Sequence, residues 1–132
     1  MSDYTKKNVS ELKDSAPGFG MEEFQEAHFA AEELDAENTG FSHHRVKPGK
    51  RQGFGHSHDD AEEVYFVVAG AGRVRLDDDI VELERGDFLR IAPPIKRRFE
   101  ADDEGLELVV FGTPHEGDGD MHPDFWAPDE DA

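Results

Sequence analysis

The chain has 132 residues, with 14 Lys plus Arg against 32 Asp plus Glu, a net charge of −18, and no cysteine. That length fits one domain around a single core, and the lack of cysteine excludes a disulfide, a thiolate metal site and a cysteine nucleophile. The acidic balance argues against nucleic acid and against anionic membrane surfaces, because both would repel it.

No stretch approaches the ~20 apolar residues of a membrane-spanning helix. No apolar run follows a basic stretch at the N-terminus, so no signal peptide is expected. The expectation is a soluble, cytoplasmic protein. Acidic residues fall in almost every loop, as in Asp59-Asp60, Asp77-Asp78-Asp79 and Asp102-Asp103-Glu104, while lysines number only six. An evenly acidic, lysine-poor surface resembles that of proteins from salt-loving archaea, where high salt screens the self-repulsion.

In chain order, residues 1–39 form an arm. Ser10 is placed to cap one helical turn containing Leu12, and Pro17-Gly18-Phe19-Gly20 is a breaker. Over 21–37, Met21, Phe24, His28, Ala31 and Leu34 fit a helical stripe, although 27–31 also suits an extended lead-in strand. From residue 40 the pattern is β. Strands are expected at 41–46, stopped by Pro48-Gly49, and at 54–58. A strand at 63–69 ends at Gly70-Ala71-Gly72, read as a turn. A hairpin joins 73–76 to 80–83 through Asp77-Asp78-Asp79. After the turn at 84–87, a strand at 88–92 is closed by Pro93-Pro94. The last strands are 96–100 and 106–111, separated by an acidic turn at 102–105. Short strands with polar turns imply an all-β antiparallel sandwich or barrel. The whole of 1–132 reads as one domain, with a barrel core at about 40–112 and an acidic tail at 113–132 anchored by Phe125-Trp126.

The chemistry concentrates in His56-Ser57-His58, then Glu63, then Gly70. Alternate strand residues share a face, so His56 and His58 aim at one point, which Glu63 can reach from the next strand. Two imidazoles and a carboxylate on one side of a divalent metal leave other positions open. Ser57 lacks the strained elbow of a catalytic serine. No helix pattern follows Gly70-Ala71-Gly72, so it is not a phosphate loop. Arg90, inside a strand, reads as an edge salt bridge before a second anion contact.

These residues resemble the cupins. The first cupin motif reads Gly, five residues, His-x-His, three or four residues, Glu, six residues, Gly. His56, His58, Glu63 and Gly70 match it in register, and Gly49 lies one residue too early. The second motif reads Gly, five residues, Pro-x-Gly, two residues, His, three residues, Asn. Gly86 fits, but Ala92-Pro93-Pro94, Arg97 and Ala101 stand at the later positions. The resemblance implies a double-stranded β-helix, or jelly-roll barrel, and a divalent metal (Fe, Mn, Ni, Zn or Cu) held by three histidines and a glutamate. It also implies a small-molecule ligand, and a homodimer formed by sheet extension or swapped N-terminal strands.

Arg97 replaces the fourth ligand and cannot coordinate, because a guanidinium has no lone pair to give. In one reading His56, His58 and Glu63 still hold the metal, and Arg97 orients an anionic substrate in a dioxygenase, isomerase or decarboxylase. In another the metal is gone, Arg97 pairs with Glu63, and the barrel only binds a small molecule. A third makes His56 or His58 a proton-transferring base without metal. His44 shares the inward face of Val46, so it is either a substitute ligand or a wall histidine, with His43 outward and solvated. Tyr65, on the face of Glu63, either lines the pocket or fills the core. His28, His115 and His122 carry little expectation of a ligand role.

Overall fold

The computed structural model describes residues 3–113 and 117–127. Its regular elements are two short 3₁₀ turns, Val9–Glu11 and Pro17–Phe19, then β1 (Gln25–His28), α1 (Ala30–Glu33), β2 (Gly40–Val46), β3 (Gly55–His58), β4 (Glu63–Leu76), β5 (Asp79–Glu84), β6 (Phe88–Ile91), β7 (Arg97–Gly112) and β8 (Gly119–His122). The expected all-β architecture is the observed one. One eight-stranded sheet runs β1-β2-β7-β3-β8, while β4 pairs with β5, β6 and β7. Every pairing is antiparallel. Among the described residues no helix is long and apolar enough to cross a membrane.

The long strands β4 and β7 form the spine. Glu63 pairs with Gly112 at one end and Leu76 with Arg97 at the other, with register shifts between Val67 and Ala69 and between Gly70 and Gly72. Their inner faces build the core from Tyr65, Val67, Val74, Phe99, Leu106 and Leu108, all at most 4 % exposed. Burying such a side chain contributes about 1.5–3 kcal/mol. Alternation along each strand thus puts Glu63 on the inner face with Tyr65 and Val67.

Several expectations need correction. Gly70-Ala71-Gly72 is not a turn, because β4 runs through it. A Cβ on Gly70 would stand 1.9 Å from the Gly105 carbonyl oxygen, and one on Gly72 would stand 2.0 Å from that of Glu100. The glycines are there because β7 backbone lies against them. Residues 102–105 do not separate two strands but belong to β7. There, the four of them stand opposite Ala71 alone, between the pairs Gly72–Ala101 and Gly70–Leu106.

The stretch 21–37 is not one helix. Gln25–His28 pairs with β2, from Gln25–Val46 to His28–His43, and only the four residues of α1 are helical. Sheet pairing overrides the helical propensity. The N-terminal arm therefore lies on an edge of its own chain's sheet. Asn8, not Ser10, caps the first turn. Its side chain accepts from the Ser10 N–H, and Glu11 reaches back to the Asn8 N–H, which is a capping box. β8 lies in what read as an acidic tail.

The anchor role of Trp126 holds. It is fully buried, with the Arg51 guanidinium 3.9 Å from its ring centroid, a desolvated cation–π contact of about 2 kcal/mol. Arg51 also donates to the Ala127 carbonyl at 2.7 Å, and Arg98 donates to those of Gln52, Pro123 and Phe125. These buried cations latch the C-terminal segment, and β8 with it, onto the barrel.

Candidate metal centre

β3 presents His56 and His58 on one face, as their spacing requires. Their rings meet edge to face with centroids 5.1 Å apart. Ser57 points the other way and pairs with His122 Nε2 at 2.8 Å, so neither Ser57 nor His122 is at the site. Glu63 opens β4 beside them. One nitrogen each of His56 and His58 and one carboxylate oxygen of Glu63 lie within 4.8 Å of one another. They form the cluster of histidines and carboxylates able to hold a metal among the described residues.

Glu63 Oε1 accepts hydrogen bonds from the Tyr65 hydroxyl at 2.6 Å and from Arg97 Nη1 at 2.8 Å. His58 Nε2 and His56 Nε2 stand 3.3 and 3.6 Å from the same oxygen. Both ring nitrogens of His58, Nε2 and Nδ1, are buried without a formed hydrogen bond. Burial pushes the Glu63 carboxyl up, but the neighbouring His56, His58 and Tyr65 more than reverse this, and it titrates well below the usual carboxylate range. Burial lowers the His56 pKa, while the Glu63 carboxylate beside His58 raises that ring's pKa. Tyr65 is pushed well up, by burial first and Glu63 second, so it stays a hydrogen-bond donor.

Arg97 is fully buried and stands behind Glu63 rather than on the cavity wall. It pairs with His56 across β3 and β7. Its donors go to Glu63, to the Ile95 carbonyl at 3.0 Å and to those of Ala92 and Pro93 at 2.9 and 3.2 Å. It thus fixes one carboxylate oxygen of Glu63, while the other accepts no hydrogen bond among the described residues.

His44 lines the same cavity but lies outside the three-residue cluster. Its Nε2 pairs with Ser42 Oγ at 2.8 Å, its Nδ1 is buried without a partner, and burial, then His56, lowers its pKa to about 4. It is neutral at pH 7. His43 is not solvated. It contacts Glu107 Oε2 at 2.6 Å, and its ring lies 5.5 Å from that of the buried His28, which bonds to the Lys13 carbonyl and Glu26. Arg90 makes the expected exposed salt bridge, to Glu62 at 3.3 Å. His115 lies outside the described residues.

Asp118 escaped the sequence reading. It is buried, accepts the backbone N–H groups of Asp59, Asp60 and Ala61 at 2.8–3.0 Å, and places Oδ2 3.3 Å from His58 Nδ1. Burial raises its pKa, and the three amides outweigh that and hold it low. A charged carboxylate behind a histidine favours the tautomer that leaves Nε2 free to coordinate.

The cavity in front of the cluster has a volume of about 300 Å³, and its wall is mainly apolar. The donor set suits a borderline divalent ion. The cupin domain model matches residues 42–112, more than half of the chain. The chain belongs to the cupin family. Similar solved structures include a cupin protein from Bacteroides fragilis, 25 % identical with a TM-score of 0.69, with 89 % of each chain covered. The oxalate decarboxylase of Bacillus subtilis is 21 % identical with a TM-score of 0.74. The match covers 92 % of this cupin but 32 % of the decarboxylase, so this chain spans about a third of that enzyme. The polyketide cyclase RemF of Streptomyces resistomycificus is 16 % identical with a TM-score of 0.73, over 95 % of this chain and 88 % of that one. No curated protein matches the chain.

Proposed function

We propose that this cupin holds one divalent metal through His56, His58 and Glu63, and acts on or binds a small molecule carrying an acid group. One observation carries the reading. His58 Nε2 is buried, lacks a hydrogen-bond partner and lies 3.3 Å from Glu63 Oε1. An unpaired buried nitrogen costs about 1–3 kcal/mol, and a metal would satisfy it. A divalent ion bound there would supply Lewis acidity or an oxygen-binding position.

The chain's own residues set the conditions. Arg97 and Tyr65 hold Glu63 Oε1, the oxygen that faces His56 Nε2 and His58 Nε2, and so fix the carboxylate beside both imidazoles. Asp118 sets a charged carboxylate 3.3 Å from His58 Nδ1, on the side of the ring away from Glu63. Arg97 balances the Glu63 charge and Asp118 adds one negative charge behind His58, so with neutral imidazoles a dication leaves the centre at a net +1, which favours an anionic group on the ligand.

The test is metal content by plasma mass spectrometry after reconstitution, beside His56→Ala. About one equivalent that disappears in the variant is the expected result. No metal in the reconstituted wild type would refute the reading. The Arg97–Glu63 pair at 2.8 Å supports a second reading, a metal-free pocket that binds without catalysis. Under it, Arg97→His takes up metal and the wild type does not.

A further inference from the structure

The ligand's body is written on the cavity wall and mouth. Phe19, Met21, Phe29, Phe54 and Met121 line the cavity. Three of them, Phe19, Phe29 and Met121, are 54 %, 46 % and 56 % exposed. Large apolar side chains left half in water around an opening mark a surface that a partner or ligand covers. No Lys or Arg lines the cavity among the described residues, and its carboxylates are Glu63 and Asp120. A compact polyanion would meet no cationic side chain there and would leave the apolar wall wet.

The polar groups on the wall are largely committed. Gln25 Oε1 accepts from the Gly53 N–H and Gln52 Oε1 from the Phe99 N–H. Ser42 is paired with His44. His44 Nδ1 remains, buried and unpartnered. A cavity of about 300 Å³ is twice the ~150 Å³ apolar site that holds one benzene, which is room for two fused rings.

We propose that the ligand is a largely apolar, planar molecule of about bicyclic size. Its ring body packs between Phe29 and Met121, and one polar oxygen edge reaches the His56–His58–Glu63 cluster beside His44. The oxygen edge rests on the metal reading, whereas the ring body rests on the wall alone. Met21 and Phe54 are half-buried on this wall, while Phe19, Phe29 and Met121 are its exposed members, coming from the second 3₁₀ turn, the end of β1 and β8.

The test uses 3-hydroxy-2-naphthoate, a fluorescent fused-ring acid with adjacent oxygens, against oxalate, a compact dianion with no apolar body. Both are titrated by calorimetry into Zn²⁺-loaded protein, into chelator-treated protein, and into Phe29→Ala, Met121→Ala and His44→Phe. The expected result is naphthoate binding at least tenfold tighter than oxalate. It weakens about tenfold, or 1.4 kcal/mol, in each of the three variants, with unchanged Zn²⁺ content. Oxalate binding as tightly as naphthoate to a Zn²⁺-loaded protein overturns this inference and leaves the metal reading standing. Tight naphthoate binding that chelation does not alter, in protein that takes up no Zn²⁺, overturns the metal reading and upholds the apolar body. Phe29→Ala and Met121→Ala variants that bind naphthoate like the wild type also overturn the inference.

Discussion

Arg97 is the residue in which the site departs from the cupin motif, and its removal gives a sharp test of what it does. Arg97→Met keeps length and apolar volume but withdraws the guanidinium from Glu63 Oε1, 2.8 Å away, and from the carbonyls of Ile95, Ala92 and Pro93. Arg97 is wholly buried, so water does not replace those donors. Breaking a buried pair by removing one partner costs about 3–5 kcal/mol, which at about 4 °C per kcal/mol for a domain of this size is a melting shift of about 12–20 °C. Urea unfolding of metal-free protein, followed by Trp126 fluorescence, measures it; Trp126 is the chain's single tryptophan and is fully buried. A cycle with Glu63→Gln separates the pair from the arginine's packing, and a coupling above about 2 kcal/mol is expected for groups in direct contact. Because Glu63 is held well below the usual carboxylate range, its contribution is fully present above the unfolded pKa and is lost only as pH falls through the lower folded value. Titration of Glu63 itself therefore adds no pH dependence to the coupling between pH 7 and pH 5. A single-variant loss below about 1 kcal/mol with no coupling would refute the view that Arg97 holds Glu63.

Two further predictions follow from the same geometry. Asp118→Asn removes the negative charge beside His58 Nδ1 and one acceptor of the 59–61 amides. Loss of such an outer carboxylate should weaken metal binding about 10–100-fold in competition with a chelating dye. Nitrogen NMR should show the His58 tautomer shifted, a change that loosening of the loop alone would not produce, and unchanged affinity would count against the positioning role. His44 titrates near 4 in the folded chain against 6.5 unfolded, so the unfolded state binds its proton first as pH falls. The stability His44 gives is complete above pH 6.5 and declines toward pH 4, by about 3 kcal/mol at 1.36 kcal/mol per unit. The difference between wild-type and His44→Phe urea midpoints at pH 7, 5.5 and 4 isolates this, and parallel curves would refute it.

The strands at 41–46, 54–58 and 88–92 were legible because local signals agreed, with alternation inside and Pro or Gly at the ends. The shared face of His56 and His58 was legible for the same reason, since period-two spacing fixes direction without tertiary information, and Glu63 was expected to reach them from the start of the next strand. The errors have a common cause. A glycine that makes a hairpin and a glycine crowded by another strand read alike in one sequence. Gly70 and Gly72 are of the second kind, and the proof is the backbone of Gly105 and Glu100, some thirty residues on. The acidic run 102–105 looked like a turn because charge marks exposure, not chain reversal. β1 was obscured because its apolar spacing fits two periods, and its pairing with β2 decided the matter. Asp118 carried no signal at all. It looks like every other acid of the tail, and only β8, beside β3, brings it to His58.

That last residue shows how the molecule divides its labour. His56, His58, Glu63 and Arg97 lie within residues 42–112, the span that matches the family. Phe19, Met21, Phe29, Asp118 and Met121 lie outside it, on the N-terminal arm and the C-terminal segment that Arg51 and Arg98 tie down. The barrel supplies donor atoms on rigid strands, where small errors of position matter most. The two end segments supply the exposed apolar residues of the cavity and one carboxylate 3.3 Å from His58 Nδ1. A change in either segment can therefore alter which molecule enters without disturbing the His-His-Glu geometry, which is why one barrel serves many chemistries. Family membership accordingly bears on the His-His-Glu group of the barrel, whereas Phe19, Phe29 and Met121 belong to segments outside the matched span.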